Sequence, residues 1–144
     1  MQAEPDSGFR PNGKSSDVPM FRAMKPDVDG LPLVGRSGRM LGVRVNDSYR
    51  DIPVAEDGTV SPGTGGMSVA LDDAVNLPKP RLPRSLGGEG RDPVFRMQSE
   101  FLPEELQARA DHYPHACVEP SERCALSDFE MSLADTRDDW SRLP

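Results

Sequence analysis

The chain has 144 residues and a formal net charge of −7, a size that suits one domain around a single core. Leu, Ile, Val and Phe make up about a fifth of it, on the roughly 20% line below which highly charged chains stay unfolded. Gly and Pro number 13 and 15, so a small core with long connections follows and a large α/β enzyme is excluded. The charge is segregated as well: residues 1–99 balance, and the whole −7 falls in residues 100–144.

That balance opposes diffuse nucleic-acid binding, which needs a basic face to neutralise phosphates. Two local basic stretches stand out, Arg36, Arg39, Arg44 and Arg50 against the single acid Asp47, then Lys79, Arg81, Arg84 and Arg91. Solvated surface charge explains both in the first instance. No apolar run reaches the length of a membrane span, and residues 1–16 lack the apolar stretch of a signal peptide. Two cysteines are too few for a disulfide scaffold. A cytoplasmic protein is expected, with export by a route that needs no cleaved signal left open.

In chain order, residues 1–18 are polar and aperiodic and read as a loose leader, and residues 19–144 as one domain. Met20–Met24 is the first expected strand, bounded by Pro19 and Pro26. Leu41–Val45 alternates and reads as a second. Glu56-Asp57-Gly58 makes a hairpin-like turn before Thr59-Val60. Gly63, Gly65 and Gly66 free the backbone for a tight lead-in to the strand Met67–Leu71.

Residues 72–92, rich in Pro and Gly, form a long loop of the kind that is usually functional, and Pro93–Met97 is another strand. Pro103 with Glu104 and Glu105 starts a helix that runs to Ala110. His115–Glu119 is a strand. Ser127 and Glu130 match a capping box that opens a second helix, with Leu126 and Met131 as its staple and Phe129, Leu133, Ala134 and Trp140 on its buried face. The expected fold is a small α+β domain of short strands in two sheets, long loops and two helices.

Four residues with metal-binding side chains, His112, His115, Cys117 and Cys124, lie close together, but their spacing is not that of a zinc finger. On a strand, His115 and Cys117 share a face with side chains in parallel rather than tip to tip, which suits a nucleophile–base pair poorly. The cluster Gly63-Thr64-Gly65-Gly66 is not a phosphate-binding P-loop, since neither Lys-Ser/Thr nor a helix follows.

Taken in order, Phe21–Met24 (FRAM), the block DGTVSPGTGGMSVALD, the segment HACVEP and a last amphipathic helix closing on Trp140 form a recognisable series. With these pieces the chain resembles the family of small bacterial toxins with an ADP-ribosyltransferase-like fold that are delivered between cells by the type VI secretion system. The pieces cover about half of residues 20–144, and the T-G-G-x-S-V element is the most specific.

The resemblance implies an ADP-ribosyltransferase-like domain that uses NAD in the cytosol of a target cell, with a cognate inhibitor (an immunity or antitoxin protein) as partner. It implies that Arg22, Thr64, Gly65, Gly66 and Ser68 hold the cofactor and that His115 acts at the reaction centre. The glutamate that grips the ribose in such enzymes has no motif here. Glu119, on the strand face of His115, is one candidate for it and Glu100 the other. Ordinary structural roles remain open for each residue: a surface ion pair for Arg22, a strand hydroxyl for Ser68, a hydrogen-bonded imidazole for His115. The competing reading is a non-catalytic interaction protein that docks a basic partner on its acidic C-terminal part.

Overall fold

A computed structural model describes residues 17–46 and 48–144. Most of the expected leader and Asp47 lie outside the described residues. Among the described residues eight strands form, all paired antiparallel in two sheets, with one α-helix and several short 3-10 turns. The strands are β1 (Pro19–Ala23), β2 (Thr59–Val60), β3 (Met67–Leu71), β4 (Val94–Gln98), β5 (Leu106–His112), β6 (His115–Pro120), β7 (Cys124–Ala125) and β8 (Ser141–Arg142), and the helix is α1 (Leu126–Asp135). The large sheet has the order β5-β6-β3-β1-β4-β8, and β2 pairs with β7 beside it. No helix among the described residues is long and apolar enough to cross a membrane. The domain is α+β, as its composition and patterning led one to expect.

Residues that face each other across an antiparallel ladder project to the same side, so register sorts the side chains. Met20 opposite Met97, Met67 opposite Val118 and Val69 opposite Ala116 lie on one face. There they join Phe95 and, from α1, Phe129 and Leu133 in the main core. The other face carries Phe21 opposite Ala70, Ser68 opposite Cys117 and Ala70 opposite His115. Only part of that face is apolar, a smaller cluster of Phe21, Ala23, Ala70, Ala74, Leu77 and Val94.

Asp17 accepts bonds from Gln98 Nε2 (3.0 Å) and the Glu100 amide (3.0 Å), and the Val18 amide donates to Ser99 Oγ (3.0 Å). These contacts tie the start of the domain to the end of β4.

Three elements depart from the sequence reading. The expected helix from Pro103 is strand β5. Leu106 and Ala108 are buried while Gln107 and Arg109 are not, a period of two that pairs with β6 from Leu106–Pro120 to Ala110–Ala116. Ladder bonds to β6 and burial of the small alanines outweigh the local Pro-Glu-Glu helix start. Among the described residues there is therefore one α-helix, not two.

That helix begins one residue before the expected capping box. Its cap residue is Ala125 with no side-chain cap bond, and the Leu126 amide is satisfied instead by Gly58 O at 2.9 Å. Glu130 pairs with Arg36 (2.6 Å) rather than with the helix backbone. Met131 is 64% exposed, so it staples nothing. Trp140 is buried beyond the helix and donates to Thr136 Oγ1 at 3.0 Å.

Leu41–Val45 keeps its alternation, with Leu41 and Val43 buried, but makes no ladder. Gly42, at φ +156°, lies so close to the Gly35 carbonyl that a Cβ would come within 2.0 Å of it. The neighbouring Arg44 amide bonds the Asp51 carboxylate (2.7 Å) rather than a strand. The turn before Thr59-Val60 forms as expected, closed by the Gly58 amide on Ala55 O (2.8 Å). Its partner strand, however, is β7, far along the chain.

Candidate functional site

The β1–β3 ladder pairs only Met20 with Leu71 and Phe21 with Ala70. Past that point the strands part, and the gap opens into a cleft of about 340 Å³. One wall is the loop that carries Gly38, Arg44 and Asp51; the other is the expected long loop, here supplying Asn76, Leu77, Pro78 and Arg81. Ser68 of β3 and His115 of β6 line the floor together with Arg22 of β1. Arg22, Ser68 and His115, marked in the sequence from three separate segments, thus meet at one cleft.

Arg22 is 5% exposed, and its guanidinium is spent on backbone carbonyls. Nη1 donates to Ser68 O at 2.7 Å, and Nη2 and Nε donate to Met40 O at 2.9 and 3.2 Å. Longer bonds reach Gly38 O and Gly42 O. The side chain therefore fastens the 38–42 loop across the opening between β1 and β3. No carboxylate pairs with it among the described residues. Burial pulls its pKa down to about 10, partly opposed by Asp51 and reinforced by the neighbouring Arg81 and Arg44. The group remains a cation at neutral pH.

Two more guanidiniums crowd the same rim. A Cβ on Gly38 would stand 2.8 Å from Arg81 Nη2 and 3.6 Å from the Arg44 head group; glycine at this position leaves room for both. Arg44 is held by a fork of two bonds to Asp51 (2.7 and 3.2 Å), and this hydrogen bonding raises its pKa. Asp51 is the one acid lining the cleft, against Arg22, Arg44 and Arg81. A concave surface with surplus guanidinium suits phosphate or carboxylate groups, whose oxygens match the planar donor fork.

His115 has a carboxylate behind it. Its Nδ1 lies 2.6 Å from Asp111 Oδ1, and an ionised carboxylate only accepts, so in the neutral ring Nδ1 holds the proton and Nε2 offers a lone pair. Burial pushes the Asp111 carboxyl up, but the bonds from His115 and the His112 amide outweigh it and hold it below the usual carboxylate range. This Asp–His arrangement is the geometry of an oriented general base. Ser68 Oγ makes no hydrogen bond among the described residues, and so is available to a ligand.

The other marked residues stand apart. Thr64 is exposed and donates to Ser61 O (2.7 Å). Gly65 and Gly66 are explained by close approach of backbone: a Cβ would fall 2.2 Å from Asp51 O at Gly65 and 2.4 Å from Val118 O at Gly66. None of the three lines the cleft.

Glu119 is 1% exposed. Its Oε1 accepts from the Gly63 amide (2.9 Å) and Arg109 Nε (3.0 Å), and its Oε2 from Gln107 Nε2 (2.7 Å). Four residues of extended strand, about 13 Å, separate it from His115. Glu100 is exposed in the short turn after β4, and it too is absent from the cleft lining. Cys117 sits on the sheet face of His115 as expected, but burial and the charge of Asp111 push its thiol up to about 12, which leaves it protonated and a poor nucleophile.

Sequence reading missed Asp111, Arg44 and Arg81 as site residues. Arg44 and Arg81 stood within the two basic stretches, without a sign that they would face each other. Asp111 fell just past the end of the misjudged helix, where no motif marked it. No protein-family model, no curated protein and no solved structure matches this chain.

Proposed function

We propose that the cleft takes an NAD-type dinucleotide and that the protein acts as an ADP-ribosyltransferase-like toxin, with a cognate inhibitor protein as its natural partner. The observation that carries this reading is the convergence of Arg22, Ser68 and His115 on a cleft with surplus positive charge. A volume of about 340 Å³ lies at the small end of ligand pockets, so it suits one half of the dinucleotide, the remainder lying along the rim.

Arg81 is the group free to turn a donor edge toward the diphosphate, with Arg44 held beside it by Asp51 and Arg22 fastening the loop behind them. Ser68 Oγ orients a ribose hydroxyl. His115, backed by Asp111, takes the proton from the acceptor, whose lone pair forms the new bond to ribose C1′ as the bond from C1′ to the nicotinamide nitrogen breaks and nicotinamide leaves with the bonding electrons. The site differs from the family pattern in one respect: the glutamate expected to grip the ribose is engaged elsewhere if it is Glu119 and lies off the cleft if it is Glu100, and no glutamate among the described residues lines the cleft.

Calorimetric titration with NAD tests binding, and nicotinamide release together with growth arrest on expression inside bacteria tests activity. Binding of NAD that weakens in Arg81→Ala, and activity that disappears in His115→Gln, are the expected results. Absence of heat with NAD and ADP-ribose alike would remove the reading. Arg22→Ala is an unsuitable control, because it strips the donors from several buried carbonyls.

A second reading has its own observation. A groove of about 550 Å³ beside α1 and β7 is lined by Glu104, Glu105, Glu122, Asp128 and Asp135 against Arg123, with the exposed Met131 at its edge. An interaction protein that docks a basic partner would use this surface. Such docking weakens steeply with salt. Capture of the partner unchanged by high salt would dismiss it.

A further inference from the structure

At the far end of the β5–β6 hairpin three different metal-binding side chains come together. We infer that Asp111, His115 and Cys117 form a binding site for a borderline-soft divalent metal ion, with Zn²⁺ the cation that the ligand set favours and water completing four-coordination. The inference rests on the geometry of this hairpin and not on the ligand of the cleft.

One ligand atom from each residue lies within 4.8 Å of the other two. In a tetrahedral zinc site with bonds of 2.0–2.3 Å the ligand atoms stand about 3.3–3.6 Å apart. Asp111 already spans its two neighbours, with Oδ1 2.6 Å from His115 Nδ1 and Oδ2 3.7 Å from Cys117 Sγ. Side-chain movements of about 1 Å shared among the three residues bring this arrangement to a tetrahedral spacing. A mixed O, N and S set suits zinc better than the hard cations that prefer oxygen alone.

The backbone puts these ligands together in two ways. His115 and Cys117 alternate onto one face of β6. On β5 the pairing slips by one residue between Ala110–Ala116 and His112–His115, so Asp111 is the extra residue of a bulge. Bulges re-aim a side chain at the edge of a sheet, and β5 is the edge strand. Here the bulged carboxylate comes to lie against both ligands of its neighbour strand.

On binding, the coordinating thiol gives up its proton to solvent. Arg109, whose Nε is engaged by Glu119 at 3.0 Å, is the basic side chain on the same sheet face and is already neutralised. The imidazole would bind through Nδ1 and its proton would move to Nε2, so the metal-bound protein has no lone pair to offer the cleft and the ion would silence His115 as a base.

The test uses the untagged full chain, freed of metal with a chelator and titrated with Co²⁺ as a spectroscopic stand-in for Zn²⁺. One equivalent should bind with a thiolate-to-metal charge-transfer band, and Zn²⁺ should displace it one for one. Cys117→Ser should abolish the band and weaken binding more than about a hundredfold, and His115→Gln and Asp111→Asn should weaken it by about 10–100-fold. Cys124→Ser should leave band and affinity unchanged. Because His115 and Asp111 are not buried, their variants should fold even if Cys117→Ser does not. A band that survives Cys117→Ser, a band lost in Cys124→Ser, affinity indifferent to both His115→Gln and Asp111→Asn, or no Co²⁺ retained would each overturn the inference. NAD plays no part in this readout, so failure here leaves the reading of the cleft to stand or fall on its own.

Discussion

Arg22 and Glu119 are two buried charges on one sheet, 5% and 1% exposed, and their surroundings could hardly differ more. Glu119 has an opposite charge, an amide side chain and a backbone N–H on its two oxygens. It is a closed network, complete without a ligand. Arg22 has only carbonyl oxygens, which satisfy its donors but not its charge, and Arg44 and Arg81 add to the excess. A neutralised buried charge belongs to the architecture. A buried charge left without a counter-ion, at the edge of a cleft, is a place where an anion gains more than water can give it. Of these two buried charges, Arg22 is therefore the one open to a ligand.

The contrast can be attacked directly. Arg22→Met should cost the most, about 3–5 kcal/mol in urea unfolding, because the Ser68 and Met40 carbonyls lose their donors together. A loss below about 1 kcal/mol would mean that the guanidinium is not the fastening described above. Glu119→Gln should cost about 1–3 kcal/mol, less than a fully buried pair because Arg109 can reach water. It should leave nicotinamide release in proportion to folded protein. Activity lost in a folded Glu119→Gln variant would make that carboxylate catalytic and undo the comparison.

Arg81→Ala should change stability by no more than about 0.5 kcal/mol yet weaken NAD binding about tenfold, which calorimetry would read. A smaller effect is expected at the exposed rim, where Arg39 pairs with Asp92 at 2.7 Å. The hydrogen bond from Arg39 holds the Asp92 carboxyl below its ordinary 3.8. A carboxyl depressed on folding stabilises above its unfolded pKa and ceases to as pH falls through the folded value. Asp92→Asn should thus cost about 0.5–1 kcal/mol at neutral pH and progressively less as pH falls below the ordinary carboxylate range, as urea midpoints across an acid series would show.

Strands β1, β3, β4 and β6 were legible in the residues because each alternates or clusters apolar side chains between turn-forming neighbours. The helix that buries Phe129 and Leu133 was legible for the same reason, through a period near four. Its first turn was not, since the satisfaction of the Leu126 amide by Gly58 O comes from a residue far away in the chain. β5 was misread because a local helix start and an alternation of small alanines compete, and long-range pairing with β6 settles the competition.

The site divides in the same way. Local chemistry marked Arg22, Ser68 and His115 as candidates, since residue type and strand context are properties of short segments. Their meeting depends on antiparallel register and on where the β1–β3 ladder ends, which no segment encodes alone. The same holds for the separate fates of two charges on strands of one sheet. Whether a guanidinium or a carboxylate finds a counter-ion depends on which loops and side chains fold over it, and that is a property of contacts between distant parts of the chain.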